Sequence, residues 1–461
     1  MDQFEILRGT GDSPYASLDD LQKALGAGYG TSPATQTGGG ALRVESLEQS
    51  IKLTTYTERQ IVFWKDIPKT KAYSTVEEFT RLESYGQDND NAFWSEGQLP
   101  REQDSTYSRQ ARFVKYLGVT KSVLHPLTLA RTQGGDVRNL ENMNGLRWLL
   151  QALERSLFFG NSQLNVGATE WIEFDGLQQL IPAANIIDLQ GQPLDERTVR
   201  NGAQTILDNY GVPTHMYGSP NVIDDFAKQY IPNNRILIPT AGEVRVGMTA
   251  DSVNTIGGPV ALRSDVFLRL PEQPPAAATH AEAPTAPTAA AALSGAPDSG
   301  EWSKSTAGGL AVTYRVTSVN AQGQSAPATS GTVTVLAADL TESIALTITN
   351  VAGVAPVYFK VFRRDTATGT YRLISRIAAS SAAAGATTVF TDRNVIMTGV
   401  YEAYMGQLDT TVIEFRQLTD VVKMDLATIS PAIRWMILMY GVPVLYVPGR
   451  WVRFINIGAA S

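Results

Sequence analysis

The 461 residues carry 38 Lys/Arg against 45 Asp/Glu, a formal net charge of −7, with 18% charged residues and no cysteine. So mild a negative balance does not suit a protein that must neutralise many phosphates. The missing cysteines exclude disulfide scaffolds, thiolate metal sites and cysteine nucleophiles, and leave either redox compartment open.

The length allows two or three domains and at least one sizeable core. Met1-Asp2-Gln3-Phe4-Glu5 places acids where a signal peptide carries positive charge, and no apolar run follows. The longest strongly apolar stretch, Trp435–Val447, is broken by Gly441 and Pro443 and is too short to span a bilayer. The expectation is a soluble protein, made in the cytoplasm, with no membrane partner.

In chain order, Ser17–Leu25 has a capping serine and Leu18, Leu21 and Leu25 on one helical face. Gly26–Gly40 is a Gly, Ser, Thr and Ala tract without periodicity, a flexible arm that either hangs free or threads onto a neighbour. Leu42–Tyr56 regains apolar spacing, and Ala72–Leu82 alternates in a β-prone way. Residues 86–106 turn polar and acidic yet hold Phe93, Trp94, Leu99 and Pro100, and Tyr107–Leu124 returns as a β-rich run. Strand, polar tip and strand make a long hairpin that cannot bury itself. Its aromatic residues point to another subunit, with Phe93, Trp94, Leu99 and Tyr107 as the contact candidates.

Asp136–Asn161 carries Val137, Leu140, Met143, Leu146, Leu149, Leu150, Leu153, Leu157 and Phe158 at spacings of three and four. Arg138, Glu141, Arg147, Glu154 and Arg155 are among the residues filling the remaining positions. Asp136 suits the cap and Gly160 the stop, so this is the long helix on which the fold is built. Asp195–Tyr210 is a second helix, capped by Asp195 and striped by Val199, Ala203 and Ile206. Met216–Gly218 is a strand leading through Ser219-Pro220 into a third helix. Arg235–Pro239 and Pro259–Leu268 read as strands, which makes this region mixed α+β.

Pro271–Pro297 is rich in proline, alanine and threonine and reads as an extended linker. Beyond it, Leu310–Val319, Gly331–Leu336, Ser343–Thr349, Val357–Arg363, Tyr371–Ile377 and Thr387–Phe390 are short β-prone runs separated by turn residues, the pattern of a small sandwich. Thr411–Leu418, Val421–Leu426 and Ile433–Val447 return to longer strands and belong with the first domain, which makes the sandwich an insertion.

Chemistry is scarce. His125, His215 and His280 lie far apart with no nearby second ligand, so no metal site is expected. The sequence has no phosphate loop and no nucleophile elbow. The pairs Asp19-Asp20, Glu77-Glu78 and Asp224-Asp225 read as solvated faces, and Phe174-Asp175-Gly176-Leu177 as a turn. Arg363-Arg364 reads as an exposed, idle strand end. Neither catalysis nor a cofactor is expected. The informative features are mechanical, and they fit a subunit that packs against copies of itself.

Two sets of phrases carry a family likeness. One runs from Ala41-Leu42-Arg43-Val44-Glu45-Ser46-Leu47-Glu48 through Ile67-Pro68-Lys69-Thr70-Lys71-Ala72-Tyr73-Ser74-Thr75-Val76-Glu77; the other is Leu157-Phe158-Phe159-Gly160-Asn161 with Phe174-Asp175-Gly176-Leu177. In these phrases, and in the order of its parts, the chain resembles the major capsid proteins of tailed bacteriophages with the Hong Kong 97 type of fold. Tyr314–Ser325 looks like the strand-and-turn signature of immunoglobulin-like or fibronectin-type domains carried on phage structural proteins. The resemblance implies an α+β chain with an N-terminal arm over 1–67, an extended loop over 68–124 and a peripheral domain with the spine helix over 125–161. An axial domain would take 162–270, the linker 271–299, an inserted immunoglobulin-like sandwich 300–402, and the rest of the axial and peripheral domains 403–461.

The implied function is a shell-forming capsid protein that encloses the phage genome as part of the virion. The implied partners are copies of itself in hexamers and pentamers, a separate scaffolding protein, a portal and a decoration protein. Packaged DNA would meet the inner face without sequence specificity, and the sandwich would touch host surfaces or polysaccharide weakly. The Lys–Asn cross-link of some relatives has no residue-by-residue match here and is not carried over. A surface adhesin or tail protein that binds through the sandwich is the competing reading. Its single, internal placement favours the shell, and a carbohydrate-active enzyme lacks the expected cluster of acids.

Overall fold

The computed structural model describes residues 55–86, 92–129, 136–164, 173–229, 239–240, 243–244, 251–366, 368–427 and 431–459. The helix expected at Ser17–Leu25, the Gly26–Gly40 arm, the Ala41–Glu48 phrase and most of the strand expected at Arg235–Pro239 lie outside these residues.

The long helix runs Val137–Phe159, 23 residues and roughly 35 Å at the usual rise per residue. Leu149, Leu153, Leu157 and Phe158 are buried, whereas Met143 and Trp148 near its start and middle are exposed. It lies against a four-stranded sheet ordered Lys69–Lys71, Ile413–Asp425, Ala432–Leu445, Lys115–Leu124. Gly145 shows how close the two come. A Cβ there would stand 2.8 Å from Ile437 Cδ1 and 3.3 Å from Lys121 Cγ, so the glycine that weakens the helix locally permits the packing. Lys121 pairs with Glu141 at 2.9 Å and Arg138 with Asp425 at 2.9 Å, tying helix to sheet at its edges.

The loop expected over 68–124 divides. Lys69–Lys71 pairs in parallel with Phe415–Gln417, and Lys115–Leu124 pairs antiparallel with the Ala432–Leu445 strand. The free hairpin is only Val76–Ser84 with Thr106–Phe113. Ala72 and Val114 are buried at its two roots, so their packing fixes where the ribbon leaves the body. Thr411–Leu418 and Val421–Leu426 merge into the one strand Ile413–Asp425, with register irregularities between Gln417 and Val422.

A six-stranded sheet forms the second layer, ordered Ile186–Asp188, Trp451–Ile457, Tyr401–Gly406, His215–Gly218, Gly258–Ser264, Ser252–Thr255. The helices Glu196–Asp208 and Pro220–Lys228 pack on it, with Val199, Ala203, Ile206, Val222 and Phe226 meeting Met216, Val260, Met405, Val452 and Phe454. Asp195 caps the first helix, accepting from the Thr198 amide at 2.8 Å. Trp451–Ile457 is buried at every position, as an interior strand covered on both faces must be.

Residues 288–392 form a β-sandwich. One sheet is Thr288–Pro297, Glu342–Thr349, Thr387–Asp392; the other is Ala328–Thr329, Leu310–Val319, Tyr358–Arg364, Arg372–Ala378, with Val333–Val335 also on Leu310–Val319. Val312, Tyr314, Val316, Ile344, Leu346, Ile348, Phe359 and Val361 fill the space between. Thr288–Pro297 corrects the linker assignment, because it pairs through seven registered positions with Glu342–Thr349. Ala289, Ala291 and Leu293 alternate toward the core, but a run of alanines disguises the period.

Arg363 is a second correction. It is fully buried rather than idle, pairing with Asp365 and Asp392 at 2.7 and 2.8 Å and stacking over Trp302 at 5.1 Å. Asn394 and the Ile396 carbonyl accept from its remaining donors.

Candidate functional site

The hairpin is the most exposed apolar feature among the described residues. Its strands pair from Val76 opposite Phe113 to Leu82 opposite Tyr107. Phe93 is 90% exposed, Trp94 56%, Leu99 93% and Tyr107 65%, joined by Tyr73, Tyr85 and Phe113. Covering one such side chain is worth about 1.5–3 kcal/mol. The structure brings all four predicted contact residues onto this one ribbon and its tip.

The ribbon is fixed at its base. Arg112 reaches Asp175 at 3.1 Å, the Val114 amide donates to the Thr75 carbonyl at 2.9 Å, and the Phe79 ring meets Tyr446 edge-on at 4.9 Å. Asp175 also accepts from the Ser162 amide at 2.9 Å. The Phe-Asp-Gly-Leu turn therefore joins the end of the long helix to the root of the hairpin.

Just before the ribbon, the short helix Phe63–Asp66 is capped from a distance. Glu154, fully buried in the long helix, accepts from the amides of Val62, Phe63 and Trp64 at 2.9, 2.7 and 2.8 Å. These are the free donors of a helix start, here satisfied by a carboxylate 90 residues away. Asp265 lies beside it, accepting from the Phe267 amide at 2.8 Å. Burial, and then the Glu154 charge, push Asp265 up to about 8, so it holds a proton at neutral pH. Burial also raises Glu154, against the pull of the three amides. We assign the negative charge of the pair to Glu154, because it is the one with three donors aimed at it.

No family model matches the sequence. Over 447 residues the chain is 26% identical to the major capsid protein of Staphylococcus phage K and to that of Staphylococcus phage S25-3, with 95% of this chain and 95% of each relative covered. The chain is a relative of the phage major capsid proteins. Among solved structures, the capsid of an empty GTA particle is 7% identical with a TM-score of 0.46, covering 94% of this chain and 100% of that one. The SrpI encapsulin complex of Synechococcus elongatus PCC 7942 is 6% identical with a TM-score of 0.44, covering 89% and 94%.

In this capsid-protein relative the sandwich is docked rather than merely tethered. Arg376 pairs with Glu173 at 3.1 Å and donates to the Phe159 carbonyl at the end of the long helix. Glu272 takes Lys360 on one side and Arg155, at 3.3 Å, on the other, and its backbone carbonyl accepts from the Leu373 amide at 3.0 Å. Burial opposes its charge, but Lys360 and Arg155 hold its carboxyl below the usual range. Asn456, buried in the six-stranded sheet, donates to the Val395 carbonyl and accepts from the Met397 amide, both at 2.8 Å.

Sequence reading placed Glu154 on the polar side of its helix. Leu150, Leu157 and Phe158 stand four before, three after and four after it, and that spacing puts it inside the apolar stripe. The three histidines stay apart: His215 bonds Thr214 at 2.9 Å, and His280 accepts from the Glu282 amide at 3.0 Å. Among the described residues, no three His, Asp or Glu side chains converge to hold a metal ion, and no helix is long and apolar enough to cross a membrane.

Proposed function

We propose that this chain tiles a closed icosahedral shell around a phage genome, in the Hong Kong 97 type of arrangement. The exposed hairpin is the observation that carries this reading: a two-stranded ribbon holding Phe93, Trp94, Leu99 and Tyr107 in water needs a second surface. That surface belongs to the neighbouring copy, over which the ribbon lies. The long helix and four-stranded sheet form the peripheral part, and the six-stranded sheet with its two helices forms the axial part. The sandwich is an immunoglobulin-like domain displayed on the outer face. A separate scaffolding protein guides assembly, a portal occupies one vertex, and DNA meets the inner face through non-specific contacts.

Electron microscopy of the purified chain, alone and with its scaffolding protein, tests this reading. Closed shells or hexameric capsomers support it. Monomers persisting at every concentration in both preparations refute it.

A further inference from the structure

Residues Gly300–Val395 contain eight Lys/Arg and five Asp/Glu. Among the described residues, six of these cations have an acceptor: Lys304 has Asp188 and Glu301, Lys360 has Glu272, and Arg363 has Asp365 and Asp392. Arg372 donates to the Pro271 carbonyl, Arg376 pairs with Glu173, and Arg393 with Asp298. Arg315 and Arg364 are the two left over, and they are neighbours. Their guanidinium carbons lie 4.3 and 4.7 Å from the centroid of one buried ring, Tyr371.

The strand register explains the meeting. Thr313 stands opposite Arg364 and Arg315 opposite Phe362, so the two arginines are diagonal neighbours on one face of the sheet. The Nε atoms of both are shielded from water and have no hydrogen-bond partner, while each residue as a whole stays partly exposed. The ring accounts for their positions, since cations stack on aromatic faces. It does not neutralise them. Two like charges at diagonal spacing repel, and each keeps a planar fork of donors suited to oxyanions.

We infer that Arg315, Tyr371 and Arg364 form a binding site for a compact oxyanion, a carboxylate or a phosphate group, on the surface of the sandwich. The anion would supply the missing counter-charge and accept from both guanidinium forks, with Tyr371 holding them at fixed spacing. This site does not depend on the shell reading, because it rests on contacts within one chain.

The test is titration calorimetry on the full chain with inorganic phosphate, glucuronate and neutral glucose as separate probes. Phosphate, glucuronate or both should bind saturably, and glucose should not. Binding by one anion alone identifies the group the site takes. The double variant Arg315→Gln with Arg364→Gln should lose at least tenfold in affinity, whereas Arg393→Gln, which removes a paired arginine, should bind as the parent does. If the double variant fails to fold, Arg364→Lys serves instead: it keeps the charge, loses the fork and should weaken binding severalfold. No binding of either anion, or equal binding by parent and Arg364 variants, overturns the inference.

Discussion

The amide of Gly176 donates to the carbonyl of Gly160 at 2.9 Å, joining two glycines that belong to separate phrases of the sequence. The contact closes the end of the long helix against the Phe-Asp-Gly-Leu turn, whose Asp175 anchors the hairpin root through Arg112. A Cβ on Gly176 would stand 2.6 Å from the Ser156 carbonyl oxygen and 2.7 Å from the Gly160 nitrogen. Both are backbone atoms, which cannot swing aside.

Gly176→Ala should therefore destabilise the chain by about 3 kcal/mol, measured as the shift in a urea midpoint. Gly331→Ala, at a glycine with open space around it, should change stability by less than about 0.5 kcal/mol. Equal effects at the two positions would remove the packing explanation.

Glu154→Ala strands one buried and two half-buried amide donors and should cost about 3 kcal/mol or more. Glu154→Gln keeps one acceptor oxygen and should recover part of that loss. Chemical denaturation of the two variants beside the parent separates the cap from a merely space-filling role, in which Glu154→Gln, nearly the same shape, would be as stable as the parent.

Asp265 gives a pH dependence of definite sign. Its carboxyl is raised from 3.8 to about 8 in the folded chain, so the folded state binds the proton more tightly than the unfolded one. The stability conferred by the neutral form is fully present below pH 3.8 and is lost as pH rises toward 8. Relative to Asp265→Asn, the parent should lose stability across that window, by no more than about 1.4 kcal/mol per pH unit. Parallel urea midpoints for the two proteins from pH 5 to 8 would contradict the assignment.

Arg376→Ala removes the bridge from the sandwich to Glu173 and to the end of the long helix. It leaves a half-buried Glu173 with the Asn161 amide but without its cation, at a cost of about 2–3 kcal/mol. Amide exchange should quicken in Arg372–Ala378 and at the end of the helix, while the Thr288–Pro297 strand stays protected. Unchanged exchange at both places would mean that other contacts hold the sandwich in position.

Much of this architecture is legible in local patterns. Leu310–Val319 is a strand with the bounds its alternation predicts, because an edge of Thr and Val leaves little else for the backbone to do. The long helix is equally plain in its spacing. The six-stranded sheet is not, since it gathers short segments from residues 186 to 457, and no local period records which distant strands will pair. Thr288–Pro297 was hidden by alanine, Glu154 by its charge, and Arg363 by the assumption that arginine seeks water. On the polar face of Leu310–Val319, Thr313 and Thr317 alternate as solvent-facing residues would but are buried, Thr313 beside the Thr332 hydroxyl at 3.2 Å and Thr317 accepting from the Gln324 side-chain amide at 2.8 Å. The hairpin's aromatics were legible as a surface anomaly because polar tips seldom carry them.

Sedimentation velocity on the parent and on the double variant Phe93→Ser with Leu99→Ser, under conditions that support assembly, tests the central claim most directly. Both residues are exposed in the single chain, so the variant should unfold within about 0.5 kcal/mol of the parent. The parent should sediment as capsomers or shells and the variant as free subunits. A variant that assembles as the parent does, or a parent that never leaves the monomer boundary, would contradict the account.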